Sequence, residues 1–240
     1  MRAAKSECGS VAVSLFVNPT QFGPKEDFDR YPRDEARDFS LAESIGVDVL
    51  FVPTIEEMYP RNTTAVRVSG VSELWEGQSR PGHFEGVATV VCKLFQIIRP
   101  DIAYFGLKDF QQCAVVRRMA EDLAMPIELR FVDTVREPDG LAMSSRNARL
   151  DSESRAKAPM LYLSLQDAAA AIRANPVSQS TVRGALEDSE KRLSAAGFEV
   201  DYFALVDAET LNPIWKCDRE SRLIAAARIG DVRLIDNCAL

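Results

Sequence analysis

The residues best suited to chemistry lie in two short stretches. One reads Tyr104-Phe105-Gly106-Leu107-Lys108-Asp109-Phe110-Gln111-Gln112, the other Leu141-Ala142-Met143-Ser144-Ser145-Arg146-Asn147. A Gly-x-Lys-Asp turn closing an apolar strand, and two hydroxyls beside an arginine, are groups that hold and neutralise a polyphosphate. No Gly-x-x-x-x-Gly-Lys-Ser/Thr loop occurs in the chain, so a nucleotide would be bound here without a P-loop. Lys108 and Asp109 read in two ways. Asp109 can cap the following helix with Lys108 solvated beside it, or Gly106 can let a nucleotide approach the backbone while Lys108 meets phosphate. Gln112 falls on a helix face able to turn toward the same crevice, whereas Gln111 is expected in solvent. The Ser144-Ser145-Arg146 cluster reads as the cap of a following helix or as a loop that closes over a triphosphate.

Three further groups carry chemistry less directly. Asn18-Pro19-Thr20-Gln21-Phe22 follows a core strand, and ligands of open α/β sheets bind at the carboxyl ends of strands. Asn18 and Gln21 offer amides without charge, which suits a hydroxyl-rich or carboxylate substrate; the same residues also read as an Asn-Pro turn with a polar face. His83, the one histidine of the chain, precedes a helix in Arg80-Pro81-Gly82-His83. It reads as a structural or solvated group, or with Arg80 as a carboxylate or phosphate binder. Glu26, Asp27, Asp29, Asp34, Glu35 and Asp38 form an acidic, solvated face, in which Asp38 is the candidate for magnesium.

The elements that must position these residues follow from periodicity. Ser10 to Val17 is a run rich in apolar and β-branched residues, expected as a strand buried on both faces. A helix is expected from Asp34 to Ile45, ended by Gly46, and a strand from Val47 to Val52, stopped by Pro53. Residues 87, 90, 91, 94, 95 and 98 form an apolar helical stripe ending before Pro100. Ile102 to Phe105, Asp109 to Leu123 and Ile127 to Val132 read as strand, helix and strand. This alternation predicts a parallel, doubly wound sheet. After Val135 the pattern changes: one long helix from the Asp151 cap to about Ala174, another from Thr181 to Ala196, then two strands, Val200 to Val206 and Arg222 to Ala227. That order predicts a separate α+β unit. Residues 1 to 8 resemble the last turns of a helix.

Bulk properties exclude several classes. With 240 residues, 46% hydrophobic and 27% charged, the chain has the composition of an ordinary soluble globule. A formal net charge of −7 argues against nucleic acid as a partner. No apolar run approaches a membrane span, so no membrane partner is expected. Five scattered cysteines without a C-x-x-C pair point to neither zinc nor a disulfide framework, and to a reducing, cytoplasmic setting.

The stretches FVNPTQFGPKEDFDRYPR (16–33), RPGHFEGVATVVCKLFQIIRPDIAYFG (80–106), KDFQQ (108–112), TVREPDGLAMSSRN (134–147) and AARIGDVRLIDN (226–237) together resemble the pantothenate synthetase (pantoate–β-alanine ligase) family. The match runs in order over nearly the whole chain. It implies an α/β fold: a Rossmann-like, doubly wound parallel sheet of the nucleotidyl-transferase type, over residues 1–135, with a smaller α+β C-terminal domain, 136–240, that carries the 141–147 ATP loop. It also implies magnesium-ATP as cosubstrate, pantoate and β-alanine as small-molecule substrates, and a homodimer. The implied reaction has two steps, adenylation of the pantoate carboxylate with release of pyrophosphate, then displacement of AMP by the amine of β-alanine.

Carried over by position, the resemblance gives Gln21 and Gln112 to pantoate, with Gln21 also at β-alanine. Gly106, Leu107, Lys108, Asp109, Val135, Met143, Ser144, Ser145 and Arg146 are given to ATP, and Asn18, Tyr31, Arg80 and His83 to the lining of the cleft. Lys108 and Arg146 are the residues expected to stabilise phosphate charge. Leu107 stands where the family usually has Glu. The family's Pro-Thr-Met-Gly…His-x-Gly-His segment has no counterpart, so the first strand and helix are expected to be missing and turnover by this chain to be low. Two other readings compete: a different adenylyltransferase of the same superfamily, or a non-catalytic remnant that binds ATP or pantoate.

Overall fold

Apolar runs punctuated by proline, glycine and short polar caps fold here into alternating strands and helices, then into helices backed by a meander. The computed structural model describes residues 1–24, 28, 31, 33–61 and 63–240; Glu26, Asp27 and Asp29 of the acidic stretch lie outside the described residues. The chain divides into two units. The first comprises Met1–Gly106 and Gln111–Val132, the second Leu107–Phe110 and Asp133–Leu240.

In the first unit α1 (Arg2–Glu7) leads into β1 (Ala12–Ser14), α2 (Glu35–Ile45), β2 (Val49–Phe51), α3 (Ile55–Met58), α4 (Glu76–Ser79) and α5 (His83–Ile98). β3 (Ile102–Gly106), α6 (Phe110–Asp122), whose first residue falls in the second unit, and β4 (Glu128–Val132) complete it. β1 pairs with β2 and β3 with β4, both parallel, Ala12 facing Val49 and Ile102 facing Glu128. The α/β character and parallel pairing follow the strand–helix alternation of the sequence. Local chemistry sets the helix ends. Asp34 accepts from the Arg37 amide and Gly46, left-handed at φ 81°, closes α2. Thr54 and Glu57 form a reciprocal capping box on α3. The stripe of α5 behaves as expected, with Val87, Val90 and Val91 buried. The expected long strand over 10–17 shortens to three residues, with Ala12 and Ser14 exposed. Among the described residues β1 has a single hydrogen-bonded neighbour, so only one edge of the run is organised into a ladder.

In the second unit α7 (Ser152–Lys157), α8 (Met160–Ala174) and α9 (Gln179–Ala195) precede β5 (Glu199–Asp207), β6 (Ser221–Ile229) and β7 (Val232–Ala239). The strands form an antiparallel sheet in the order β5-β6-β7. Leu161, Leu165, Ala169 and Ile172 of α8 and Val182 and Leu193 of α9 pack with Phe203, Leu205, Leu223 and Ala225 of the sheet into one core.

Two expectations change here. The long helix from Asp151 is broken at Ala158-Pro159 into α7 and α8, because proline lacks the N–H that an uninterrupted helix needs. The strand after Ala227 was not expected. Ile229 pairs with Val232 across the two-residue Gly230-Asp231 loop, and Gly230 takes φ 53°, a conformation that suits a tight hairpin.

Candidate active site

In the first unit the polar residues after β1 are tied together around Asn18. Its side chain is buried, 3% exposed, and every hydrogen-bonding capacity is used locally. Oδ1 accepts from Thr20 N at 3.3 Å, Thr20 Oγ1 at 2.9 Å and Tyr59 OH at 2.7 Å. Nδ2 donates to Gly86 O and to Gln21 Oε1, each at 3.1 Å. Asn18 therefore caps the 3-10 turn Pro19–Gln21 and holds the Gln21 carboxamide through its Oε1. Asn18 makes the turn that the Asn-Pro reading expects.

His83 and Arg80 converge on the same turn. His83 Nδ1 donates to Gln21 O at 2.9 Å, so its Nε2, 3.1 Å from Arg80 Nη1, is the acceptor of the arginine's proton. The carbonyl fixes the orientation of the ring and places a proton on Nδ1. Arg80 Nη2 reaches Gln21 O at 3.5 Å. Close approach of α5 to the turn needs a residue without a side chain at Gly86, since a Cβ there would lie 2.6 Å from Gln21 N. Tyr31 packs edge-on against Phe22, with ring centroids 5.8 Å apart. Burial raises the Tyr59 hydroxyl above its ordinary pKa despite the bond to Thr20, so it stays protonated and serves as a donor to Asn18.

Gln111 and Gln112 differ from expectation. Gln111 is 6% exposed rather than in solvent. Its Nε2 donates to Val71 O at 2.9 Å and Leu74 O at 2.8 Å, and its Oε1 accepts from Glu76 N at 3.0 Å. These three bonds brace Trp75, which is held at φ 53°, an unusual conformation for a bulky residue. Helical phase alone could not reveal this, because the partner loop lies more than thirty residues away in sequence. Gln112 is half-buried. Asp38 lies in the first turn of α2, and among the described residues no three His, Cys, Asp or Glu side chains are grouped to hold a metal ion.

In the second unit the other candidates meet on β7. The 3-10 turn Leu107–Asp109 and the 3-10 turn Ser145–Arg149 both pack against that strand. Lys108 Nζ lies 3.7 Å from Asp109 Oδ1, its side chain 22% exposed. Ser144 caps its own turn by accepting from Arg146 N at 3.2 Å. Val135 and Met143 are linked by Met143 N donating to Val135 O at 2.9 Å, and both side chains are exposed, 63% and 50%. Gly106 ends β3 in the first unit; a Cβ built on it would meet nothing within 4 Å, so nothing in the protein's own packing demands glycine there.

The chain matches the family model described as pantoate-beta-alanine ligase over residues 1–239. It belongs to the pantoate–β-alanine ligase family. A pantothenate synthetase of Rhizorhabdus wittichii is 53% identical to this ligase over 240 residues, 99% of this chain and 84% of that one. The pantothenate synthetase of Gluconobacter oxydans is 49% identical, covering 100% and 87%. Among solved structures, the pantothenate synthetase of Thermus thermophilus superposes with a TM-score of 0.93 at 49% identity, over 99% of this chain and 86% of that one. A pantoate-beta-alanine ligase of Francisella tularensis, solved in complex with β-γ ATP and β-alanine, matches at TM-score 0.80 and 34% identity, over 99% and 82%.

Sequence reasoning about this ligase did not single out Tyr59, Gly86 or Asn237, which contact candidate residues directly, or Arg136 and Asp236, which bond to the segments beside them. A signal existed for the last two. Asp236-Asn237 sets two adjacent polar residues within a strand that is otherwise alternately buried. No local pattern marks Tyr59 or Gly86, whose partners are set by tertiary packing.

Proposed function

We propose that this chain catalyses ATP-dependent condensation of pantoate with β-alanine through a pantoyl-adenylate intermediate. In the first step a pantoate carboxylate oxygen attacks the α-phosphorus of ATP; the new O–P bond forms as the α–β anhydride bond breaks, and pyrophosphate leaves. In the second, the neutral amine of β-alanine attacks the acyl carbon, AMP departs with the carboxylate oxygen, and the amine's proton is lost to solvent. Gln21 and Gln112 hold pantoate by neutral hydrogen bonds, and Gln21 also faces β-alanine. Lys108 and Arg146 stabilise charge that grows on the phosphates, the kind of interaction that lowers a barrier most. Ser144 and Ser145 donate to phosphate oxygens, while Val135 and Met143 offer an apolar shelf for the base.

The observation that carries this reading is the meeting of the Lys108 and Ser144–Arg146 turns on one strand, although more than thirty residues separate them in sequence. The open space over Gly106 supports it, since the glycine then serves the approach of a ligand rather than the fold. So does the Francisella tularensis relative, whose complex contains β-γ ATP and β-alanine. Asn18, Tyr31, Arg80 and His83 support the cleft, by orienting the Gln21 turn. Magnesium would enter bound to the triphosphate. Among the described residues no three His, Cys, Asp or Glu side chains are grouped to cage it, and Asp38 is the candidate to approach it, so no step is assigned to protein-held metal. A homodimer in a reducing cytoplasm completes the proposal, in keeping with the odd, scattered cysteines.

The test is pyrophosphate release by the purified protein with ATP, with and without pantoate, paired with calorimetric binding of each substrate. Release that requires pantoate supports the reading. Release independent of pantoate points to a different adenylyltransferase, and binding of ATP or pantoate without release points to a non-catalytic binder; either result overturns it.

A further inference from the structure

The closing strand contains two polar residues to which neither the sequence reading nor the proposed chemistry gives a role. Asp236 and Asn237 of β7 are 4% and 5% exposed, in a strand whose neighbouring positions build the core, and burying such groups is costly unless each polar atom is matched. Every one is matched, and the partners are unusual. Asp236 Oδ2 accepts from Arg136 Nη1 at 2.6 Å and Oδ1 from Arg136 Nη2 at 2.9 Å, a two-pronged pair. The same Arg136 Nη1 donates to Gly140 O at 3.0 Å, and the guanidinium lies 3.3 Å over the Tyr162 ring. Arg136 also bridges Ala142 in antiparallel fashion, so the clamp pins both arms of the turn from which Met143 to Arg146 emerges.

Asn237 does the corresponding work on the other segment. Its Nδ2 donates to Leu107 O at 2.8 Å and Lys108 O at 3.0 Å, and its Oδ1 accepts from Arg222 Nη1 at 2.6 Å. Arg222 in turn lies 4.3 Å over the Phe110 ring. The two residues are joined to each other, because Asn237 N donates to Asp236 Oδ1 at 2.8 Å. Successive strand residues project to opposite sides, so one dipeptide can grip one segment on each side.

We propose that Asp236-Asn237 is a positioning device, which sets the Lys108 turn and the Met143–Arg146 turn at a mutual spacing matched to one polyphosphate. The assignment rests on the proposed function for the identity of the ligand, but its geometry stands without it. Neither residue touches substrate. Asp236 acts through Arg136, and Asn237 through the carbonyls of residues 107 and 108, which orient the backbone carrying Lys108. Catalytic groups displaced by about 1 Å can lose roughly a hundredfold in rate, so a spacing device of this kind should act on turnover with ATP more than on the affinity for the other substrates.

The test uses Asn237→Ala and Asp236→Asn in the full chain, with Asn237→Ser and Asp236→Glu as milder variants should either fail to fold, read by hydrogen exchange and by steady-state kinetics. Exchange should quicken at least tenfold in a peptide covering 107–110 for Asn237→Ala, and in one covering 136–147 for Asp236→Asn, each leaving the other segment within twofold. Turnover at saturating ATP should fall at least tenfold in both, with the pantoate Michaelis constant within twofold. Unchanged exchange in both segments, uniform loosening of the whole second unit, or local loosening without any loss of turnover would overturn the proposal. If the unaltered protein shows no pantoate-dependent turnover, the proposed function fails, and the segment-specific exchange still decides for or against the clamp.

Discussion

In the proposed reaction Lys108 and Gln112 would offer different chemistry, and their removal should read differently. The proposal sets Lys108, a compact charge, near phosphates whose charge grows toward the transition state, so Lys108→Ala should lower turnover by about a hundredfold or more. Gln112 offers only neutral hydrogen bonds, so Gln112→Ala should raise the pantoate Michaelis constant, by about 1 to 3 kcal/mol if its partner is left unsatisfied. Kinetics with ATP and pantoate varied independently separate the two; unchanged turnover in the first variant, or an unchanged pantoate constant in the second, removes that assignment. Away from the site, Asp207 accepts from Thr210 N at 2.8 Å, Thr210 Oγ1 at 2.9 Å and Glu209 N at 3.1 Å. The Thr210 amide above all, helped by the Thr210 hydroxyl, holds this carboxyl below its ordinary value. A folded pKa below the unfolded one contributes stability that is present above about pH 4 and lost as pH falls through the folded value. Asp207→Asn keeps an acceptor for the turn but cannot titrate. Urea unfolding at pH 7 and pH 3 should therefore show a smaller loss between the two conditions in the variant than in the parent.

At the scale of elements, the first turn of α5 and the turn after β1 work as one piece. Gly86 admits the Thr20–Gln21 backbone, and His83 and Arg80 hold Gln21 O from the same helix start. Gly86→Ala should force the two apart, costing about 1 to 3 kcal/mol of stability as overpacking does. It should also weaken pantoate binding several-fold, while the ATP Michaelis constant stays within twofold. Thermal unfolding and substrate titration check it, and an Ala variant with unaltered pantoate binding would show that the turn is not held by this contact. Much at this scale was readable in advance. The Asp34 cap, the Gly46 stop and the α5 stripe depend on neighbours within a few residues. The break at Pro159 and the β6–β7 hairpin were also written locally, in a proline and in a Gly-Asp pair between branched residues, but a long helical pattern and an expected pair of strands masked them.

For the molecule as a whole, the division into units does not follow the order of the chain. Leu107–Phe110 fold with the second unit, although the residues on both sides belong to the first. Lys108 is therefore carried by a unit whose helices begin some forty residues later. Leu165 is fully buried in that core, and Leu165→Ala should cost about 2 to 5 kcal/mol. Hydrogen exchange in residues 107–110 should quicken with it. Val87→Ala, in the buried face of α5 in the first unit, should leave those residues far less affected. Equal acceleration in both variants would mean that the segment is not held by the second unit.

What the sequence determined by itself was whatever depends on near neighbours and on residue chemistry: the alternation of strands and helices, the caps, the parallel α/β class, and the two stretches with groups fit for a polyphosphate. What only the tertiary structure decided was which polar groups are spent on the fold. Asn18 and Gln111 have the same kind of amide as Gln21 and Gln112, yet the first two spend every bond on backbone and side-chain partners brought in by folding. Asp236 and Asn237 are distant in sequence from Arg136 and Lys108, and no spacing rule links them. A buried polar group must find its partners wherever the packed chain supplies them, and that pairing exists only once the strand, the turn and the loop have come together.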